Sequence, residues 1–153
     1  MKINGKICIA IAVSIGLLMF ACNDENSNSG ILARNPSDVI TRMIDCWKNG
    51  NDYTNLCSVS ISTDDVSSAA SVFLNAKASN WLILDDGNSY YEKLKGTGLK
   101  LKDNQALYGI VSTNGQAGDF HLGIAEKFEG YAIVERHKKT NRYYIVEMNI
   151  KAN

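Results

Sequence analysis

The side chains able to move protons near neutral pH are His121, His137 and the adjacent acids Asp64-Asp65. In "FHLGIAE" strand alternation sets His121 opposite Phe120, Leu122 and Ile124, so a solvent or pocket face is open to it. His137 opens the stretch "KKTNR", where Arg136, Lys138, Lys139 and Arg142 form a basic cluster. No spacing pairs either histidine with an acid, and both are expected on the surface or in structural roles. The basic cluster reads as solvated charge at a hairpin tip, which also discourages edge aggregation. Contact with anionic headgroups or an acidic partner is its functional alternative. Asp64 and Asp65 open a helix, where acids suit the dipole and neighbouring side chains point apart. Cys46 and Cys57 flank "WKNGNDYTNL". A helix ending near Lys48 and a second from Asp52 would bring the two thiols together across a hairpin. A disulfide there would close about 12 residues and add roughly 3 kcal/mol; two separately buried thiols are the other reading. Metal ligation is not expected, since the spacing is wrong and no histidine lies nearby. No Gly-x-Ser-x-Gly, phosphate loop, His-Glu-x-x-His or Cys-x-x-Cys occurs, so no catalytic residue is assigned and no cofactor is expected.

The elements that must position these residues follow from periodicity. "NPSDVITRMIDCWKNG" predicts a helix with Asn35 as N-cap and Pro36 at its first position. Val39, Ile40, Met43, Ile44 and Trp47 make one apolar stripe, and Gly50 ends it. "DYTNLCS" predicts a short second helix. Thr63 is expected to cap a third, with Val66, Ala69, Ala70, Phe73 and Ala76 inward. From Trp81 the pattern turns to strands: "WLIL", the turn "DDGN", an ambiguous "SYYEKLK", the alternating "GLKLK", then "ALYGIVST". The loop "NGQAGD" leads to "FHLGIAE", "KFEG" turns again, and "YAIVERH" and "RYYIVEMNI" flank "KKTN". Simple alternation groups Tyr144, Val146, Met148 and Ile150 on one face of the last strand. Trp47, Trp81, Tyr108, Tyr131 and Tyr144 are expected in the core, an apolar cone lined by some of them being the alternative. Helices first and an antiparallel meander after them make an α+β domain.

The first thirty residues differ from the rest. Lys2 and Lys6 precede an uncharged run, "ICIAIAVSIGLLMF", of about 14 residues, or about 21 Å as a helix. A bilayer core of roughly 30 Å needs about 20 residues, so the pattern is that of an export signal rather than a permanent span. The run breaks at Met19-Phe20-Ala21-Cys22 and continues as "NDENSNSG". That seam resembles the lipobox of bacterial lipoproteins: Ala21 and Cys22 match, while Met19 and Phe20 depart from the usual choices. The resemblance implies a signal over 1–21, diacylglycerol on the Cys22 thiol and a flexible polar tether over 22–34. A single domain over 35–153 follows. It places the chain in the bacterial cell envelope, at the outer membrane facing the periplasm in preference to the inner membrane or cell surface. The alternative is an ordinary export signal cut near Ala21.

Acids and bases balance at 16 each, and removing Lys2, Lys6, Asp24 and Glu25 with the leader leaves the folded part neutral. A neutral domain has no long-range field for nucleic acid, which is not an expected partner. "PSDVITRMIDCWKNGNDYTNLCS" and the closing "RYYIVEMNIK" together resemble small lipoproteins with a nuclear-transport-factor-two-like or cystatin-like fold. That family implies a curved sheet wrapped on the N-terminal helices, with a cone-shaped pocket. The function expected is a non-enzymatic binding module, holding an envelope protein or a small apolar ligand and meeting the bilayer through acylated Cys22. Two rivals stand beside it: an immunity or inhibitor lipoprotein that neutralises a toxin or enzyme, and a small pocket enzyme using Asp, Tyr or His for proton transfer.

Overall fold

A computed structural model of the chain describes residues 30–78, 80–85, 92, 94–113 and 127–153. Two helices precede a four-stranded antiparallel sheet, an α+β arrangement. Helix α1 spans Asp38–Asn49 and α2 spans Thr63–Ala76, with a single 3-10 turn at Thr54–Leu56 between them. Strands β1 (Asn80–Leu84), β2 (Gln105–Thr113), β3 (Phe128–Arg136) and β4 (Tyr143–Ala152) lie in sequential order, each antiparallel to the next.

Helix α1 carries the expected stripe: Val39, Ile40, Met43, Ile44 and Trp47 are all buried. It begins later than Asn35-Pro36 suggested. Those residues and Ser37 make a lead-in turn, with the Asp38 N–H donating to the Asn35 carbonyl at 3.1 Å. The Asn35 N–H in turn donates to Asp38 Oδ2 at 3.3 Å, so this end is closed by the acid reaching back rather than by an asparagine cap. At the far end Gly50 takes the left-handed conformation (φ 64°), and the N–H groups of Gly50 and Asn51 donate to the carbonyls of Trp47 and Cys46. The second helix of the sequence reading is only the 3-10 turn. Asp52 holds it, accepting from the Thr54 N–H at 2.9 Å and the Thr54 hydroxyl at 2.8 Å. Ser62 rather than Thr63 caps α2, accepting from the Asp65 N–H at 3.3 Å.

The inner sheet face receives both helices. Ile110, Phe128, Ala132, Val134, Ile145, Met148 and Ile150 meet the α1 stripe and Val66, Ala69 and Phe73 of α2 in one buried cluster. Leu84, Leu94, Leu107, Val111 and Ile133 form a second, smaller cluster on the outer face. Leu94 reaches it from the segment between β1 and β2. "GLKLK" lies in that segment and is no strand: β1 and β2 pair with each other, so its alternation finds no ladder.

The last two strands hold two further departures. Phe128–Gly130, expected as a turn, is strand: a Cβ on Gly130 would collide with the Asn149 carbonyl, so the glycine serves close approach of β3 and β4. The pairing of β4 slips between Ile133 and Val134, where Ile133 faces Glu147 but Val134 faces Ile145. Val146 is the extra residue of a β-bulge, and every side chain before it changes face. Tyr143 and Ile145 therefore join Met148 and Ile150 against the helices, while Val146 packs on the outer cluster. The grouping of Tyr144 and Val146 with Met148 is corrected accordingly. The loop expected over 114–119, the strand expected over 120–126 and residues 86–88 of the turn expected over 85–88 lie outside the described residues.

Candidate functional site

Gly30 and Ile31, inside the 22–34 stretch, are hydrogen-bonded to the fold. Ile31 forms an antiparallel bridge with Tyr143, donating to its carbonyl at 2.8 Å and accepting from its N–H at 2.9 Å. The Gly30 N–H donates to the Asn55 carbonyl, and the Gly30 carbonyl accepts from Arg142 Nε at 3.2 Å. Gly30 has φ 79°, and a Cβ there would collide with the Tyr143 carbonyl, so the position needs glycine on two counts. Farther along, Cys57 bridges Ile145 and the Ser58 N–H donates to its carbonyl at 2.8 Å. Two backbone segments thus cover the first half of the β4 edge, which would otherwise offer itself to other chains.

The β3–β4 turn carries the basic cluster. Arg136, Lys138 and Lys139 are exposed and Arg142 is half-buried. His137 braces this turn: its Nδ1 accepts from the Thr140 N–H at 3.2 Å and lies 3.0 Å from the Thr140 hydroxyl, while Asn141 turns left-handed. Accepting a backbone N–H requires an unprotonated Nδ1, which gives the ring a structural task. His121 lies outside the described residues, as does Cys22. Asp64 and Asp65 are exposed in the first turn of α2, where the dipole favours them.

Cys46 and Cys57 are both free thiols, half-buried and buried respectively, so the disulfide raised from the sequence is not formed in this structure. The physical difference from the hairpin picture is that Cys57 is drawn onto β4 by its bridge to Ile145, while Cys46 stays on α1. Burial, and secondarily the Asp52 charge, pushes the Cys57 thiol up to about 11. Its thiolate is scarce at neutral pH. Cys46 lines a groove of ≈ 640 Å³ between the Ile31–Arg34 segment and α1, with Arg34, Asp38, Arg42 and Asp45 on its walls. Among the described residues no group of three or more His, Cys, Asp or Glu is placed to hold a metal. No described helix is long and apolar enough to cross a membrane.

The densest polar constellation sits on the outer sheet face, where the sequence reading had placed nothing. Glu135 accepts from Gln105 Nε2 at 2.6 Å and from the Tyr144 hydroxyl at 2.9 Å, with Lys102 Nζ 3.8 Å away. Near it the Tyr131 hydroxyl donates to Glu147 at 2.5 Å. Ser58, Ser60, Lys100 and Val146 complete a depression of ≈ 360 Å³. Burial raises the Glu135 carboxyl, but hydrogen bonds from Gln105 and Tyr144, the Lys102 charge and Asn104 outweigh it, leaving it below the ordinary glutamate value. Burial first, then the bond to Glu135, pushes Tyr144 up to about 12. Burial, then Glu147, does the same for Tyr131, also to about 12. At neutral pH Glu135 is ionised and Tyr131 and Tyr144 keep their protons, an arrangement suited to hydrogen-bonding recognition. Tyr144 is buried as expected and Tyr131 packs half-buried on the outer cluster, while Trp47, Trp81 and Tyr108 belong to the main cluster. Counting back from the "KKTN" turn would have set Glu135 opposite Tyr144; that signal was present and unused. No family model matches the chain, and no curated protein or solved structure matches it.

Proposed function

We propose that the protein is a lipid-anchored module of the bacterial cell envelope, acylated on Cys22, that binds a partner without catalysing a reaction. The observation that carries this reading is the seam at Ala21-Cys22, between the apolar run and the polar string ending at Gly30. A second support is the composition of the stretch after Cys22, "NDENSNSG", which is polar and lacks apolar periodicity, as a tether requires. Two or three acyl chains, at about 0.8 kcal/mol per buried CH₂, anchor durably where one binds marginally. The outer membrane facing the periplasm is the favoured address. The domain is read as a cone-like relative of the nuclear-transport-factor-two and cystatin folds; helices preceding a sequential antiparallel meander support that comparison. Trp47, Phe73, Phe128 and Met148 fill the space between helices and sheet, which favours a protein held at the surface over an apolar ligand held inside.

Metabolic labelling with a palmitate analogue tests the anchor. The wild-type chain is expected to label and its mature form to begin at Cys22 with added acyl mass, and Cys22→Ser should abolish both. Equal labelling of the two chains would remove the reading.

A further inference from the structure

Two basic segments converge on the end of the molecule that holds Gly30. Arg142 Nε is bonded to the Gly30 carbonyl, which ties the β3–β4 turn to that residue. The Arg136 N–H donates to the Asn104 carbonyl at 2.9 Å, and Asn104 Nδ2 donates to the Arg136 carbonyl at 3.0 Å. That pair joins the turn to the loop carrying Lys100 and Lys102. Arg136, Lys138, Lys139, Arg142, Lys100 and Lys102 therefore share one end. Among the described residues the acids around it are fewer: Asp103, Asp52 beside Arg142, Glu135, which holds Lys102, and Glu147, which lines the same depression as Lys100 and Lys102.

The opposite end has Lys77, Lys127 and Lys151, but Lys127 Nζ donates to the Lys77 carbonyl and Lys151 stands opposite Glu129 in the ladder. Strand β3 separates the two ends by about 27 Å at roughly 3.3 Å per residue. Cys22 and Gly30 are joined by a stretch whose greatest reach is about 26–29 Å. With lipid on Cys22, the far end meets the bilayer only when this stretch lies fully extended along the whole length of β3. The basic end meets it with slack to spare.

We propose that this end, formed by the β3–β4 turn, the Lys100–Lys102 loop and the segment at Gly30, is a docking face for anionic phospholipid headgroups. It lays the tethered domain on the bilayer in one orientation, with the opposite end directed away from the membrane. The phosphates meet Lys138 and Lys139 at the tip and Arg136 beside them, and the cluster is a second membrane signal added to the acyl chains. The orientation rests on the Cys22 reading; the charge preference does not.

The test uses the mature full-length protein in vesicles, carrying a photo-reactive benzoylphenylalanine at Leu101 or at Leu74. Leu101 is 37% exposed at the basic end, and Leu74 is 45% exposed near the end of α2 that adjoins Lys127. In vesicles containing phosphatidylglycerol, Leu101 is expected to give roughly tenfold more lipid adduct than Leu74. The excess should fall severalfold in phosphatidylcholine alone, at high salt, or with Lys138→Glu and Lys139→Glu together. Equal adducts at the two sites, or no dependence on anionic lipid, would overturn the proposal. Should the mature protein carry no acyl mass, the anchor reading fails by itself. Flotation of that same protein with phosphatidylglycerol vesicles then decides the docking face. Salt-sensitive flotation lost on the double charge reversal supports it, and absence of flotation removes it.

Discussion

Glu135 and Tyr144 stabilise each other in opposite pH directions, which makes their contact measurable. Glu135 is held below its ordinary 4.5, so its contribution to stability is present above that value and is lost as pH falls through the depressed value. Tyr131 and Tyr144 are raised from 10.0 to about 12, so theirs is present below 10.0 and is lost as pH rises toward about 12. In a phenolate titration of the folded protein, Tyr131 and Tyr144 should ionise well after the ordinary range. Glu135→Gln removes the acceptor charge, so the Tyr144 ring resonances should titrate earlier while those of Tyr131 hold. A Tyr144 titration unchanged by this substitution would show that the carboxylate is not what holds the phenol. The same variant should flatten the acid limb of stability, read as urea midpoint against pH. These residues were legible only in part. Their types were visible, but nine positions separate Glu135 from Tyr144, and only strand pairing makes them neighbours.

At the scale of elements, helices were more legible than strands for a physical reason. The stripe from Val39 to Trp47 and the stop at Gly50 are local, set by 3.6 residues per turn and by a glycine that can turn left-handed. A strand is completed by a partner elsewhere, so "GLKLK" alternates without becoming one. Gly130 shows the same limit, since a glycine signals a turn and a close backbone approach alike. The bulge at Val146 is the sharpest case, because "YYIVEMNI" alternates without a visible break and yet changes face. Deleting Val146 separates the two readings. In the bulged strand the deletion leaves Ile145 opposite Val134 and Glu147 opposite Ile133, so every other side chain keeps its face. The expected cost is then about 1–2 kcal/mol, the packing of one valine on Leu107 and Ile133. In a flat strand the same deletion would drive Tyr143, Tyr144 and Ile145 to the wrong faces and abolish folding. Urea unfolding of the deletion variant distinguishes these outcomes, and a chain unable to fold would contradict the bulge.

For the whole molecule, the segment at Gly30 and Ile31 is a structural joint, since it closes the first part of the β4 edge that Cys57 and Ser58 continue. Two backbone bonds join Ile31 to Tyr143, one joins Gly30 to Asn55 and one joins Arg142 to Gly30. Each such bond contributes about 0.5–1.5 kcal/mol net. Ordering two residues costs about 1–2 kcal/mol apiece. At the middle of those ranges the balance favours the joint by about 1 kcal/mol, and the buried side of Ile31 against the main cluster adds to it. A chain beginning at Leu32 should therefore unfold at lower urea than one beginning at Ser29. It should also self-associate, because Tyr143 then presents free N–H and carbonyl groups at an open strand edge. Sedimentation velocity reads the second effect independently of the first. Equal stability and equal monomer content in the two chains would mean that the Ile31–Tyr143 bridge does not hold in solution.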